Sequence, residues 1–377
     1  MKNITLGRNG SIFTAPLSPA CRMCAKGSKM VVLVTGLCST KCFYCPLSFK
    51  KGGTDKIFAD EWELENEQDT NKLIREAENI EATGAGITGG DPLVVWKRVI
   101  TYITLLKDTF GEKFNIHLYT SALKNADHLQ DLIATGLDEV RFHPLPKTWT
   151  NMEKSPIKKT IKNIIDTNAD VAIEIPALPK MEQEIFSLII WAEAQGVRWV
   201  NLNELEFSER NCDAFLSKGY QVKNDISAGV KRSEQTAVKV IKMVQKKDLR
   251  IGVHYCSVSF KDGVQLKNRI KRRAQHIAKP FDVVTNDGTL IKGAIYPSNM
   301  TLKRLALVLQ ETYNVPSHLL FIDTEKKRVE LAAWLLQKLA PKLTKKGYRC
   351  FIVEEYPTAD RLEVERTPVP GLQYFRE

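Results

Sequence analysis

Residues 30–46 read MVVLVTGLCSTKCFYCP, a short apolar run followed directly by a loop that contains three cysteines. The run at 30–35 is rich in β-branched residues, a composition typical of a buried strand. Cys38, Cys42 and Cys45 follow it with the spacing C-x3-C-x2-C. Because three thiolates from one loop can bind one metal centre, the stretch predicts such a centre at the carboxyl end of the first strand.

Short β-rich runs of the same kind recur to about residue 255, and amphipathic helical patterns separate them. The seven predicted strands are 30–35, 85–88, 114–120, 139–143, 171–175, 198–202 and 250–255. Alternating strands and helices predict a parallel sheet with crossover helices. We therefore predict an α/β fold, a (βα)6-type partial or nearly closed TIM-like barrel, whose active site lies at the carboxyl ends of the strands.

The pattern changes after a basic helix at 264–277. A hairpin with an Asp-Gly turn at 287–288 is predicted next, then helix, strand, helix and strand, which indicates a small C-terminal α+β domain. We expect residues 49–69 to form a long loop. The predicted domains are an N-terminal segment with a C-x2-C motif at 1–28, a core barrel at 29–277 and the C-terminal domain at 278–377.

The composition is that of a globular protein, with 377 residues of which 43% are hydrophobic. No apolar run of about 18 residues and no secretory signal occurs, so we expect a cytoplasmic protein without a membrane partner. Its 55 Lys and Arg against 44 Asp and Glu give a net charge of +11. That charge suits RNA as a partner, and it suits simple solubility equally well.

Iron and zinc are the two metals that cysteines on such a loop bind. Zinc sites usually pair two C-x2-C motifs or add histidines at set spacings, and no such pair follows downstream. In a [4Fe-4S] cluster three cysteines leave one iron without a protein ligand, so a small molecule can bind there. The loop therefore favours a cluster with an open iron, and a zinc-stabilised loop is the alternative.

The cysteine spacing, its place after the first strand and the aromatic Tyr44 resemble the radical S-adenosylmethionine (SAM) superfamily. The resemblance implies that Cys38, Cys42 and Cys45 hold a [4Fe-4S] cluster, that SAM binds its open iron, and that Tyr44 lies near the adenine. It further implies reductive cleavage of SAM to a 5'-deoxyadenosyl radical, with an electron donor such as flavodoxin or ferredoxin.

Gly89, Gly90 and Asp91 follow the second predicted strand. A simple strand-to-helix turn would explain them, but they also resemble the family's GGEP element, with Asp91 in place of Glu. That resemblance implies that the glycine backbone binds the SAM amino group. Glu174 and Asn203 are further predicted cofactor ligands, because a buried strand seldom carries an unsatisfied polar side chain. Other candidates near strand ends are Thr120, Ser121, His143, Asn201 and Glu204.

A second metal site is predicted from Cys21 and Cys24 before the first strand and Cys256 beside His254 after the seventh. It would hold an auxiliary iron–sulfur cluster or a zinc ion. Ordinary buried thiols are the alternative.

The loop 42–48 (CFYCPLS) and the runs LNELEF and EEYPTADRLEVER resemble a group related to pyruvate formate-lyase activating enzymes. Three functions follow as hypotheses. The first is a radical SAM enzyme that takes hydrogen from an unknown substrate, either RNA or a small molecule. The others are an activating enzyme that acts on a partner protein and a non-enzymatic, metal-stabilised RNA-binding module. The residue that meets the substrate is not identified.

Overall fold

The computed structural model describes residues 4–297 and 299–369. Its internal contacts divide the chain into two units, Met1–Glu78 with Ala82–Leu266, and Asn79–Glu81 with Lys267–Glu377. The three domain ranges expected from the sequence stay predictions.

The first unit is built on a large mixed sheet. Its strands are β1 (Thr5–Leu6), β2 (Ile12–Phe13), β3 (Lys29–Leu33), β4 (Ile57–Ala59), β5 (Trp62–Leu64), β6 (Gly84–Thr88), β7 (Asn115–Thr120), β8 (Glu139–Phe142), β9 (Asp170–Ala177), β10 (Trp199–Glu204) and β13 (Gly252–Cys256), while β11 (Val222–Asn224) and β12 (Ser227–Val230) form a separate hairpin. A mixed α/β fold with a large central sheet is thereby confirmed.

Seven of these strands lie side by side in chain order and run parallel: β3, β6, β7, β8, β9, β10 and β13. They coincide with the seven strands predicted from the sequence. The antiparallel pair β4 and β5 extends the sheet beyond β3, and β2 and β1 extend it beyond β13. Within the described residues no strand pairing joins β3 to β13.

Helices connect the parallel strands, as a parallel sheet requires. The first unit contains α1 (Pro19–Lys26), α2 (Thr70–Asn79), α3 (Trp96–Phe110), α4 (Leu129–Ala134), α5 (Pro156–Ile164), α6 (Glu182–Ala194), α7 (Cys212–Ser217), α8 (Ser233–Lys247) and α9 (Val258–Phe260), and a π-helix at Lys261–Leu266 follows α9. The helix α1 lies before the first parallel strand, and its residue Cys21 is buried.

Apolar and polar side chains alternate along the central strands. Arg141 lies between Val140 and Phe142, and Glu174 lies between Ile173 and Ile175. Because successive side chains of a strand point to opposite faces, the apolar residues share one face and the polar residues share the other. The polar face is hydrogen-bonded across strands, and it continues toward the carboxyl ends of the strands.

The long loop expected at 49–69 is wrong in part, because β4 and β5 form an antiparallel hairpin within it. Asp60 makes the turn with a positive φ of 51°, and its carboxylate accepts a hydrogen bond from the Val31 amide at 2.9 Å. Asp tolerates this left-handed conformation better than most residues. Strands of three residues carry too little periodicity to be recognised in sequence.

The second unit contains α10 (Lys267–Ile277), β14 (Val283–Val284), β15 (Leu290–Tyr296), α11 (Leu302–Tyr313), β16 (Leu320–Asp323), β17 (Arg328–Leu331), α12 (Ala333–Lys345), β18 (Arg349–Glu355) and β19 (Glu363–Pro368). Its sheet has the order β16-β17-β15-β18-β19, and β14 pairs with β15. The predicted Asp-Gly turn is confirmed, because Gly288 has a φ of 88° between these two paired strands.

No helix within the described residues is long and apolar enough to cross a membrane.

Candidate active site

The three-cysteine loop follows β3 and stays near the surface. Cys38 is exposed, whereas Cys42 and Cys45 are half-buried, and all three are free thiols. The Cys45 amide donates to the Cys42 carbonyl at 3.1 Å, which closes a tight turn. The Thr40 hydroxyl lies 3.1 Å from Sγ of Cys38 and 3.7 Å from Sγ of Cys42. The turn and Thr40 therefore bring the cysteine side chains into one small region.

The electrostatics of this region favour a cationic ligand. Burial raises the pKa of the Cys42 thiol, and negative charge on Cys38 and Cys45 raises it further, although the hydrogen bond from Thr40 lowers it. Three thiolates this close repel one another. A metal centre relieves that repulsion, since a coordinating thiol is deprotonated by the charge of the metal.

The donor set, three cysteine thiols, is of the kind that holds an iron–sulfur cluster. In the part of the chain that is described, no three His, Cys, Asp or Glu side chains converge as one metal ion requires. A cluster instead binds each thiolate through a different iron atom. Thiols that lie near one another without converging on a point are therefore compatible with the iron–sulfur centre that the sequence predicts.

The glycine pair supports the start of this loop. The Gly90 amide donates to the Thr35 carbonyl and the Asp91 amide donates to the Leu37 carbonyl, each at 2.8 Å. A Cβ atom would lie 2.2 Å from the Thr35 oxygen if placed on Gly89, and 2.1 Å from the Leu37 oxygen if placed on Gly90. Both positions therefore require glycine, because the two backbones meet at a distance that no side chain permits.

The carboxylate of Asp91 is buried and fully occupied by the protein. Its Oδ1 accepts hydrogen bonds from the Thr120 hydroxyl at 2.7 Å and the Leu93 amide at 3.2 Å. Its Oδ2 accepts from the Ser121 hydroxyl at 2.5 Å and the Ser121 amide at 3.1 Å. Asp91, Thr120 and Ser121 were each candidates for a ligand contact, and the structure bonds them to one another. Together they join the end of β6 to the end of β7.

Tyr44 is connected to the end of β8. Its hydroxyl lies 2.9 Å from Nε2 of His143, whose Nδ1 lies 2.7 Å from the backbone carbonyl oxygen of Glu174. A carbonyl can only accept, so Nδ1 carries the proton, and Nε2 of the neutral ring accepts from the tyrosine hydroxyl. Burial lowers the pKa of His143, which keeps the ring neutral.

Glu174 lies at the centre of the polar face. Arg141 donates to its Oε2 at 2.7 Å, Asn201 donates to the same oxygen at 3.0 Å, and Asn203 donates to Oε1 at 2.8 Å. Burial by itself raises the pKa of Glu174, but Arg141 and the two amides outweigh it and hold the pKa below its ordinary value. The carboxylate is therefore ionised inside the fold. The two predicted ligands Glu174 and Asn203 are in direct contact.

Sequence reasoning missed Arg141, which organises this face. Its guanidinium also donates to Glu139 at 2.7 Å, to the Ser18 hydroxyl at 3.0 Å and to Sγ of Cys21 at 3.4 Å. An arginine in the middle of the run EVRFH at 139–143 was the available signal, because a buried arginine requires acidic partners.

The cysteines of the predicted second site lie on the same polar face or near it. Burial opposes ionisation of Cys21, but Arg141 and then His254 outweigh it and lower its pKa to about 6. Burial raises the pKa of Cys24 to about 11 and raises that of Cys256 further. These thiols do not form a convergent metal site in the described residues. An auxiliary centre stays a prediction.

Glu204, the remaining strand-end candidate, accepts hydrogen bonds from the Val258 amide at 2.8 Å and from Lys223 at 3.2 Å. It therefore stabilises the end of β10. Cys212 and Cys350 are free thiols, the first half-buried and the second buried.

A sequence relative matches this chain over nearly all of its length. A protein of Methanocaldococcus jannaschii named "Putative glycyl-radical enzyme activating enzyme" is 37% identical over 364 residues, which cover 94% of this chain and 93% of the relative. Residues 288–369 match a family model described as a domain of unknown function, DUF8061.

Among solved structures, Streptococcus suis SuiB bound to S-adenosylmethionine has a TM-score of 0.44 and 11% identity, over 61% of this chain and 50% of the SuiB chain. SuiB bound to its precursor peptide SuiA has the same TM-score and identity, over 61% of this chain and 48% of the SuiB chain.

Proposed function

The chain belongs to the radical SAM enzymes related to glycyl-radical enzyme activating enzymes, and from this premise we propose that Cys38, Cys42 and Cys45 hold a [4Fe-4S] cluster that binds SAM. When bound, the cluster supplies one electron that breaks the bond between the sulfonium sulfur and C5' of SAM, giving methionine and a 5'-deoxyadenosyl radical that takes a hydrogen atom from the substrate. The proposal is carried by the free three-thiol loop fixed by Gly89 and Gly90 at the carboxyl end of β3.

The protein's own residues position the reactants. In this proposal the seven parallel strands form the partial barrel, and Gly89 and Gly90 present backbone groups to the SAM amino group. Tyr44, held by His143, provides a wall for the adenine. Glu174 is kept ionised by Arg141, so its negative charge favours the cationic ammonium and sulfonium groups of SAM. Asn203 orients that carboxylate from the neighbouring strand.

The substrate is proposed by class. The reaction takes hydrogen from a C–H bond of RNA or of a small molecule, with an electron donor such as flavodoxin or ferredoxin. The name of the M. jannaschii relative favours a second candidate, a glycine of a partner protein. A non-enzymatic module is set aside, because the chain belongs to a family of enzymes.

Spectroscopy of the reconstituted protein tests the cofactor assignment. Protein loaded anaerobically with iron and sulfide should bind about four irons per cluster and give an electron paramagnetic resonance signal on reduction. Adding SAM should change that signal, because SAM binds the open iron. Cys45→Ala should lose the signal, whereas Cys212→Ala should keep it. A signal that SAM leaves unchanged in the wild type would contradict the proposal.

The same spectroscopy separates the substrate classes. Reduced holoenzyme and SAM are incubated with an extract of cells that lack the protein. A stable protein-based glycyl radical signal would establish the activating role. Without it, comparing RNA modifications and metabolites between cells with and without the protein identifies the substrate.

A further inference from the structure

One face of the sheet in the second unit is covered by helices. Ile295 of β15, Val329 of β17 and Cys350 of β18 pack in one apolar core with Leu305 of α11 and Leu336 of α12. Because side chains alternate along a strand, their neighbours Tyr296, Arg328, Glu330, Arg349 and Phe351 lie on the opposite face, away from this core. We call this second surface the open face.

The path of the chain through this sheet is a recurrent one. Along the sequence the elements β15, α11, β16, β17, α12 and β18 follow in the order βαββαβ, and in space the strands lie in the order β16-β17-β15-β18. This is the ferredoxin-like arrangement, which RNA recognition motifs also use, with the open face of the sheet as their binding surface. Proteins with this fold have many unrelated functions, so a binding role has to be inferred from the residues on the open face.

Several charged groups of the open face are paired with one another and buried. Arg328 donates to Glu330 at 2.6 Å and to Glu355 at 2.7 Å, and Lys292 donates to Glu355 at 2.8 Å. Arg328 and Glu330 are 0% exposed. These groups stabilise the unit and are not accessible to a ligand.

The open face also carries aromatic and cationic groups that are at least partly exposed, which we call the aromatic–arginine patch (Tyr296, Arg349, Phe351 and Arg366). The rings of Tyr296 and Phe351 meet edge to face with centroids 5.7 Å apart. The Arg349 guanidinium lies 5.7 Å from the Tyr296 centroid, and that of Arg366 lies 5.3 Å from Tyr296 and 5.7 Å from Phe351. Both arginines are exposed, and both rings are half-buried.

The two arginines differ in their carboxylate partners within the described residues. Arg366 donates to Glu363 at 2.5 and 2.9 Å, which partly neutralises it. Arg349 has no carboxylate partner within residues 4–297 and 299–369. Its guanidinium makes a cation–π contact with Tyr296, which leaves its hydrogen-bond donors available.

The charge of the protein is concentrated in this part of the chain. Residues 267–377 contain 20 Lys and Arg against 12 Asp and Glu, whereas residues 1–266 contain 35 against 32. Most of the net charge of +11 therefore belongs to less than a third of the sequence. A polyanion is the partner that such a distribution attracts.

We propose that the aromatic–arginine patch binds single-stranded nucleic acid, with bases stacked on Tyr296 and Phe351 and phosphates paired with Arg349 and Arg366. Proteins that bind single strands combine aromatic rings, which stack on the bases, with cationic groups, which pair with the phosphates. Rings suit this role because every base presents a flat π face. A protein–protein interface usually has an apolar centre that is depleted in charged residues. This patch has no such centre, because two arginines lie beside its rings. The proposal does not depend on the cluster or on SAM.

Fluorescence anisotropy of the full chain tests this binding. The probes are labelled homopolymers of about 12 nucleotides, one of RNA and one of DNA, at about 0.1 M salt. The wild type should bind at least one of them with a micromolar Kd, and the two probes distinguish RNA from DNA. Arg349→Gln should weaken binding several-fold and make the salt slope shallower by about 0.7. Tyr296→Ala and Phe351→Ala should each weaken it about tenfold.

Lys345→Gln is the matched control, because it removes one exposed charge from α12, which packs on the other face. It should leave affinity nearly unchanged. Arg349 is exposed, so its variant keeps the test valid even if loss of a half-buried ring disturbs folding. Binding weaker than about 10⁻⁴ M for both probes would overturn the proposal. Equal losses of affinity in Arg349→Gln and Lys345→Gln would overturn it too. So would the finding that a protein binds the patch while neither probe binds the chain.

Discussion

The hydroxyl of Tyr44 lies 2.9 Å from Nε2 of His143, although 99 residues separate them in the chain. This bond attaches the cysteine loop to the end of β8. The glycine pair attaches the same loop to the end of β6. The loop is therefore held at two points of the sheet, so that the proposed cluster would have a fixed position relative to Glu174.

Removing the imidazole should loosen Tyr44. We expect His143→Ala to raise the KM for SAM about three- to tenfold, because one hydrogen bond contributes about 0.5–1.5 kcal/mol. Iron content should not change. The measurement is the initial rate of 5'-deoxyadenosine formation against SAM concentration. Tyr44→Phe, which keeps the ring and removes the hydroxyl, should show the same shift. If both variants bind SAM like the wild type, the bond does not position the cofactor.

The same histidine predicts a pH dependence of stability. Burial lowers the pKa of His143 in the folded state, whereas in the unfolded chain it is about 6.5. The unfolded state therefore binds more protons between these two values, and stability falls as the pH drops below about 6.5. The difference in melting temperature between the wild type and His143→Gln should be constant above pH 7.5. At pH 5.5 the wild type should have lost more of its melting temperature than the variant. A difference independent of pH would exclude a buried neutral histidine.

Replacing Gly90 should damage the cysteine loop. A Cβ atom at Gly90 would lie 2.1 Å from the Leu37 carbonyl oxygen, so Gly90→Ala must displace backbone. We expect loss of most bound iron after reconstitution. Gly111→Ala is the control, since no atom lies within 4 Å of its Cβ and only its positive φ of 85° opposes the change. It should cost about 1–3 kcal/mol of stability and retain iron. Equal iron in the two variants would contradict this role.

Breaking the ion pair of Arg141 and Glu174 should be costly. Arg141→Met leaves a buried carboxylate without its cation, and we expect a loss of about 3–5 kcal/mol in the free energy of unfolding. The pKa of Glu174 should rise because only the two amides remain. Denaturant-induced unfolding measures the loss. Adding Glu174→Gln should restore part of the stability, and a double variant no better than Arg141→Met would show that the pair is not coupled.

The sequence predicted those features that follow from local chemistry. The seven strands could be predicted because each is a β-rich run between helical patterns. The Asp-Gly turn at 287–288 could be predicted because few other residue pairs adopt the backbone conformation of a tight hairpin turn. The positions of Cys38 and Gly90 at strand ends were predicted in the same way. The hairpin of β4 and β5 was missed because its strands are only three residues long.

Partners across the sheet could not be predicted, because they depend on register. Glu174 bonds to Asn201 since the two residues are directly opposite in β9 and β10, and to Asn203 one step further along the same face. No local pattern specifies that alignment. For the same reason the sequence suggested that Asp91, Thr120 and Ser121 contact a ligand, whereas their mutual hydrogen bonds appear only once the strand ends are brought together.

Cleavage of SAM by the reconstituted protein is the most direct test of the central claim. Under anaerobic conditions with dithionite, the wild type should convert SAM to 5'-deoxyadenosine and methionine in equal amounts, measured by mass spectrometry. Cys42→Ala should form neither product, and Cys212→Ala should match the wild type. If the wild type, fully loaded with iron, forms no 5'-deoxyadenosine, or if Cys42→Ala forms as much as the wild type, the assignment of the three-cysteine loop as a SAM-cleaving centre is wrong.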